Sequence, residues 1–310
     1  MMGDIGGKMD DERELPEVSV VVPVYNDPEG LQRTLTSLIA QRYDRYEILP
    51  VDNNSTDETS DVIASFASEH PDLIHPCEEV TFQSSYAARN SGIESGSGSV
   101  FLFLDADMWV EETWVENMVL ALRSHDCDYV GCNVKVSTDS DHTVPVRYEK
   151  SLSFPVESYL RHKQFAPTCA LAVQQEVFET VGLFDHRLVS GGDKEFGQRV
   201  YQAGFDQGYA AEVTAYHPAR DSFEALFSKA KRLGRGRAQM RYYHPNAGNY
   251  PHPLHPINYL PPSPWRLRQR YSGGESVLSL IELYVLEYLL KLIQTSRFVH
   301  ETTAIKRRSD

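Results

Sequence analysis

The residues best suited to chemistry are Asp105-Ala106-Asp107, which follow the apolar run Phe101-Leu102-Phe103-Leu104. Two carboxylates one residue apart at a strand end can face the same cation. Hard divalent ions such as Mg²⁺ and Mn²⁺ take one or two carboxylates together with phosphate oxygens. Such a cation also neutralises the charge that develops on a departing diphosphate. A second feature is the run Lys229, Lys231, Arg232, Arg235, Arg237 and Arg241, which no acidic residue interrupts. In an acidic chain it reads as a phosphate-binding arm, as a patch drawn to anionic membrane, or as a solvated helix face.

These groups must be held by a frame, and the pattern upstream supplies one. Val18–Val24 is a continuous apolar run, as expected of a strand buried on both faces. Turn chemistry at Asn26-Asp27-Pro28 precedes a helical pattern over residues 29–41, with Leu31, Leu35, Leu38 and Ile39 on one face. A second strand over residues 46–51 ends in Asp52-Asn53-Asn54-Ser55-Thr56-Asp57, where Ser55 or Thr56 is placed to cap the next helix. A short strand near Leu73–Ile74, a helix over 85–95 and a strand over 99–104 complete a β-α-β-α-β-α-β rhythm. That rhythm predicts an α/β fold with a mostly parallel sheet and right-handed crossovers, in which ligands bind at the carboxyl ends of the strands. Strands near 129–136, 168–173 and 210–215 follow, with helices near 177–181, from Gly192, over 222–241 and over 275–295. The stretch 242–264, rich in Pro and aromatics, fits neither helix nor central strand.

Composition is that of a globular chain, 41% hydrophobic and 24% charged over 310 residues, with a net charge of −14. The basic side holds 21 Arg and 9 Lys. The acidic balance speaks against a nucleic-acid partner and suits either a high-salt host or an acidic mesophilic protein. Cys77, Cys127, Cys132 and Cys169 lack a second C-x-x-C-like pair, so they read as reduced thiols, not a zinc site. Residues 1–16 read as a disordered tail without an apolar targeting run.

Taken in order, five segments resemble glycosyltransferase family 2, with its A-type nucleotide-sugar fold. They are Val20-Val21-Val22-Pro23-Val24-Tyr25-Asn26, Val51-Asp52-Asn53-Asn54-Ser55-Thr56-Asp57, Ala88-Arg89-Asn90 with Gly92, Leu104-Asp105-Ala106-Asp107, and Val181-Gly182-Leu183-Phe184-Asp185 followed by Gly191-Gly192-Asp193-Lys194-Glu195-Phe196 and Arg199. The resemblance implies a single Rossmann-like nucleotide-diphospho-sugar transferase domain over residues 17–242. It implies nucleotide-sugar contacts from Pro23, Tyr25, Asn26, Asp52, Asn53, Arg89, Asp105 and Ala106, with Tyr25 near the base and Asp105 at the ribose. It implies a Mn²⁺ or Mg²⁺ held by Asp107, Asp105 and His217, and a catalytic base at Asp193. A carboxylate there would deprotonate an acceptor hydroxyl opposite the leaving diphosphate, with inversion. Two positions depart from the family. Asn53 stands where an Asp often binds the uracil imide, and Gly192 stands where an acidic residue usually precedes the base.

The expected activity is transfer of one hexosyl unit from a UDP- or GDP-type donor to a hydroxyl on a lipid-linked, polysaccharide or glycoprotein glycan precursor. The rival is a catalytically silent nucleotide-sugar-binding scaffold. A dehydrogenase is disfavoured because no G-x-G-x-x-G follows the first strand, and a nucleotidyltransferase because Pro23-Val24-Tyr25-Asn26 is not a Gly-rich loop. Gln239-Met240-Arg241-Tyr242-Tyr243 resembles the Q-x-x-R-W signature of processive synthases only loosely, which points to single-sugar transfer. Arg232, Arg235 and Arg237 are expected at a phosphate of donor or acceptor. Residues 243–310 form a Pro/aromatic-rich loop and an amphipathic helix, which would dock on its own domain, on a second copy or on membrane, helped by Arg266, Arg268 and Arg270. The expected location is cytoplasmic, peripheral at the inner face of the plasma membrane.

Overall fold

The computed structural model describes residues 15–124, 126–138, 143–152, 154–247, 250–265 and 276–309. Most of the N-terminal tail, and Arg266, Arg268 and Arg270, lie outside the described residues. Eight strands form one sheet: β1 Val18–Val24, β2 Tyr46–Asp52, β3 Cys77–Glu78, β4 Val100–Leu104, β5 Trp109–Val110, β6 Tyr129–Ser137, β7 Ala170–Gln174 and β8 Gln207–Pro218. Their order is β3-β2-β1-β4-β7-β6-β8-β5. The pairs β3-β2, β2-β1, β1-β4 and β6-β8 are parallel, whereas β7 runs antiparallel between β4 and β6, and β5 antiparallel to β8. All seven residues of β1 and all five of β4 are buried, as their unbroken apolar runs require.

The helices are α1 Pro28–Ile39, α2 Thr59–Glu69, α3 Ser85–Ser95, α4 Trp114–Ser124, α5 Val144–Leu152, α6 Val156–Lys163, α7 Gln175–Val181, α8 Gly192–Gln202, α9 Phe223–Tyr243 and α10 Val277–Ser309. Asp27 caps α1 by accepting from the Gly30 N–H, and Ser84 caps α3 by accepting from Tyr86 N–H. Three expectations are corrected. Helix α2 begins at Thr59, beyond Ser55 and Thr56, because those residues bridge to the β1 loop: the Ser55 hydroxyl accepts from Asn26 N–H, and the Thr56 N–H donates to Asn26 Oδ1. The third strand is Cys77–Glu78, and Ile74 contributes only an isolated bridge to Ile48. The terminal helix runs on to Ser309, past Thr295, whose hydroxyl is satisfied by the Asn258 carbonyl.

Helix α10 docks on its own domain. It packs along α9, burying Leu283, Leu286 and Leu290 against Leu226 and Ala230, and further on Phe298 and Ile305 against Ala238. Its opposite face leaves Leu278, Ile281, Val285 and Leu289 exposed. Among the described residues, no helix is long and apolar enough to cross a membrane. All four cysteines are free thiols, and Cys127, Cys132 and Cys169 are buried.

Candidate active site

A cleft of about 730 Å³ opens at the carboxyl ends of β1, β2 and β4, where the sheet topology directs ligands. Pro23, Val24, Tyr25 and Asp27 line it from β1 and its loop, Asn53 from β2, Gln83, Ser84, Ser85 and Arg89 from α3 and its approach, and Asp105, Ala106 and Asp107 from β4. Val189, Lys231, Arg232, Arg235 and Arg297 complete the far wall. The Asp27, Val189 and Arg297 positions gave no sequence signal of a site. Val189 and Arg297 reach the cleft only through the packing of distant segments, whereas Asp27 directly follows the β1 loop and caps α1.

Tyr25 is half exposed, leaving its ring free to cover a planar base. Asn53 lines the cleft but is largely spent on structure. Its Nδ2 donates to the carbonyls of Glu79 and Phe82, at 3.0 and 2.8 Å. Asn26, with φ at +50°, ties the β1 loop to the β2 loop, and the Asp52 carboxylate accepts from Ser55 N–H. Neither Asn26 nor Asp52 lines the cleft. Both hold the turn that presents Tyr25 and Asn53.

The β4 triplet divides its labour. The Asp105 carboxylate lies 2.5 Å from the Arg89 guanidinium, whose side chain is almost wholly buried. Arg89 also donates to the Ser85 carbonyl, while its Nε has no hydrogen-bond partner among the described residues. Asp107 instead faces His217, with 3.8 Å between Oδ2 and Nε2. The short strand β5 produces this meeting, since pairing Trp109 with Tyr216 sets His217 opposite the turn after Asp107. The Thr34 hydroxyl fixes the same turn by donating to the Met108 carbonyl at 2.6 Å. His217 Nδ1 lies 2.6 Å from the Pro218 carbonyl, which can only accept. Nδ1 therefore carries a proton, and Nε2 is the ring nitrogen that faces Asp107. A carboxylate oxygen beside an imidazole nitrogen whose other nitrogen is anchored on a carbonyl is a donor set that suits Mn²⁺ or Mg²⁺ completed by phosphate oxygens. Among the described residues, no group of three His, Cys, Asp or Glu side chains is placed to hold a metal, so these two would need ligand oxygens.

Asp193 lies in the first turn of α8, with Gly191 as N-cap at φ +90°. Burial raises its carboxyl above the usual carboxylate range, against the pull of the Lys194 N–H and of the charges on Arg89 and Arg232. Its carboxylate accepts from Lys194 N–H, and its own N–H donates to the Tyr86 hydroxyl at 3.3 Å. The departure at Gly192 has a steric cause. A Cβ there would stand 2.7 Å from the Tyr86 ring, so no side chain fits. Glu195 is structural. It clamps Arg199, which donates to the carbonyls of Val181 and Leu183. Asp185 is chelated by Arg187 and meets His244 at 2.6 Å; these partners outweigh its burial and hold its carboxyl well below the usual range.

The basic run splits. Lys231, Arg232 and Arg235 face the cleft. Arg237 does not. It stacks over Phe298 with its Cζ 4.8 Å from the ring centroid and bonds Asn258, so its expected phosphate contact is not what the packing offers. Gln239 accepts from Val189 N–H, fixing the loop before Asp193.

Residues 19–182 match the glycosyl transferase family 2 description, more than half of the chain. The chain belongs to glycosyl transferase family 2. The glycosyltransferase AglE of Haloferax volcanii is 37% identical over 228 residues, 73% of this chain and 74% of AglE. Among solved structures, the mannosyltransferase PcManGT of Pyrobaculum calidifontis, in complex with GDP-Man and Mn²⁺, superposes with a TM-score of 0.65 at 19% identity, covering 93% of this chain and 88% of that one. Residues 1–349 of S. aureus TarS in complex with UDP-GlcNAc give 0.56 at 13% identity, over 94% and 92%. Likeness at this level establishes the A-type fold of this glycosyltransferase.

Proposed function

We propose that this glycosyltransferase moves one hexosyl unit from a UDP- or GDP-type donor to a hydroxyl acceptor, with inversion and with Mn²⁺ or Mg²⁺ as cofactor. The observation that carries the reading is Asp107, facing His217, at a cleft that also presents Tyr25 and the Arg89–Asp105 pair, with Asp193 buried within electrostatic reach of Arg89 and Asp105. Tyr25 covers the base, Pro23 and Asn53 bound its pocket, and Ala106 lets the donor approach the β4 turn. Asp105, oriented by Arg89, takes the ribose. Asp107 and His217 hold the cation, which supplies charge neutralisation for the leaving diphosphate. Asp193 accepts the proton of the acceptor hydroxyl as it attacks the anomeric carbon. Its raised basicity, due to burial, suits that task. The solved neighbours bound to GDP-Man and to UDP-GlcNAc support a nucleotide-sugar donor without choosing its base.

The acceptor in this reading is a lipid-linked, polysaccharide or glycoprotein glycan precursor, and the enzyme works at the inner face of the plasma membrane. The exposed apolar face of α10 supports peripheral contact there. Ile281→Glu with Val285→Glu should abolish co-sedimentation with anionic vesicles; equal sedimentation of both proteins would end the membrane reading. For the reaction itself, a panel of UDP- and GDP-sugars with Mn²⁺ should yield nucleotide diphosphate with one donor. NMR of the released sugar should show the anomeric configuration inverted. Retention, or no turnover of any donor, would overturn the proposal.

A further inference from the structure

Among the described residues, five cations line the cleft: Arg89 from α3, Lys231, Arg232 and Arg235 from α9, and Arg297 from α10. They share that lining with Asp105, Ala106 and Asp107. Arg89 is paired with Asp105, so the positive charge in excess comes from α9 and α10, both beyond the family-matched residues 19–182. Arg235 Nε lies 3.5 Å and the Arg297 guanidinium 3.6 Å from the two carboxylate oxygens of Glu301, whose side chain is only 6% exposed. One buried carboxylate thus orients two guanidiniums and leaves their pair with a net positive charge. Glu301 faces Arg235 through Nε, and the two Nη groups of Arg235 have no hydrogen-bond partner among the described residues. Arg297 Nη1 is steadied by His300 Nδ1 at 3.4 Å. Two glycines build this placement in. A Cβ on Gly234 would collide with the Gln294 carbonyl oxygen, and one on Gly236 would stand 2.6 Å from Ser190. Each glycine costs about 1 kcal/mol in a helix interior. Here they let α9 touch the α10 backbone on one side and the loop before Asp193 on the other.

We propose, resting on the transferase reading above, that Arg297 binds the donor's diphosphate together with Arg232 and Arg235, with Glu301 as their positioning residue. The C-terminal helix then completes the donor site and does not merely dock beside it. In the transferase reading the diphosphate meets a divalent cation at Asp107. The Asp107 carboxylate itself cancels part of that cation's charge, so a departing diphosphate stays negative unless other cations face it. The arginines share a cavity with Asp107 and supply that balance, whereas Asp193 does not line the cavity. Guanidinium forks match phosphate oxygens two at a time. A guanidinium already held by a buried carboxylate also loses less side-chain freedom when the phosphate arrives. Helix α10 thus carries two separate faces, with Arg297 at the cleft and Ile281 and Val285 exposed.

Titration calorimetry of the full chain with UMP and UDP, and with GMP and GDP, in the presence of Mn²⁺ tests the assignment. For the base that binds, the diphosphate should bind wild type more tightly than the monophosphate. Arg297→Gln should cut that advantage about tenfold or more, the loss expected for charge-assisted hydrogen bonds, while monophosphate affinity changes less than about twofold. Arg232→Gln should act in the same direction. Arg232 is exposed and has no ion-pair or hydrogen-bond partner among the described residues, so its variant tests the inference even if Arg297→Gln fails to fold. Glu301→Gln keeps both guanidiniums and should lower the same advantage, a ratio that a merely structural role would leave alone. Equal losses for monophosphate and diphosphate, or an unchanged diphosphate affinity in Arg297→Gln and Arg232→Gln, would overturn the inference. A wild-type chain that binds none of the four nucleotides would instead remove the transferase reading beneath it.

Discussion

Gly192→Ala would probe how closely the base is held. Gly192 does not use the left-handed backbone region, so its lack of a side chain serves space, not conformation. The added Cβ would lie 2.7, 2.8 and 2.9 Å from three carbons of the Tyr86 ring, about 0.7 Å inside ordinary contact. Tyr86 is buried and is held by a ring contact with Phe184 and by Asp193 N–H, so it has little room to yield. Overpacking of this kind costs about 1–3 kcal/mol. The strain falls on the first turn of α8, and a displacement of Asp193 by several tenths of an ångström should lower kcat on the order of tenfold to a hundredfold. Tyr86→Leu alone should cost about 1–3 kcal/mol through the lost ring and hydroxyl. If the clash is the cause, the double variant should be at least about 1 kcal/mol more stable than the sum of the single effects. Denaturant titration of the four proteins, with turnover measured in parallel, gives that coupling. Additivity within about 0.5 kcal/mol would refute the steric account.

The charges on Asp193 and Glu149 carry further outcomes. Asp193→Asn should lower kcat about 10²–10⁴-fold with donor affinity unchanged. Because burial raises its carboxyl, the wild-type kcat/KM should fall with falling pH at a value above the ordinary 3.8; an acid limb at or below 3.8 would contradict the assignment. Glu149 is buried between Lys229 and Arg220, both at 2.9 Å, which hold its carboxyl low despite its burial. Glu149→Gln should cost about 3 kcal/mol, at the low end for a broken buried pair because the two cations are a quarter exposed. The pair's contribution is present above the ordinary carboxyl pKa and fades as pH falls through the lowered one, so the wild-type advantage in denaturant titrations should shrink in acid.

Much of the frame was legible where local pattern and burial agree. The apolar runs of β1 and β4 mark strands covered on both faces, and the helix expected over 85–95 is α3. The antiparallel insertion of β7 was not legible, since strand direction depends on the connection and not on composition. β5 has two residues, too few for any period, yet its pairing with β8 makes the Asp107–His217 meeting. The division of Arg235 from Arg237 also escaped the sequence. Neighbouring arginines on a helix point apart, and only the docking of α10 decides which one meets the cleft. Asn26 and Asp52 carried a binding signal because turn residues and ligand residues share the same chemistry; their hydrogen bonds show them holding the turn.

The central claim is tested most directly by calorimetric binding of UDP and GDP to wild type and to Asp107→Ala, with and without Mn²⁺. One nucleotide should bind wild type, tightened at least tenfold by the ion, and the ion's effect should vanish in Asp107→Ala. Binding of neither nucleotide, or the same Mn²⁺ effect in both proteins, would contradict a donor cleft built around Asp107 and His217.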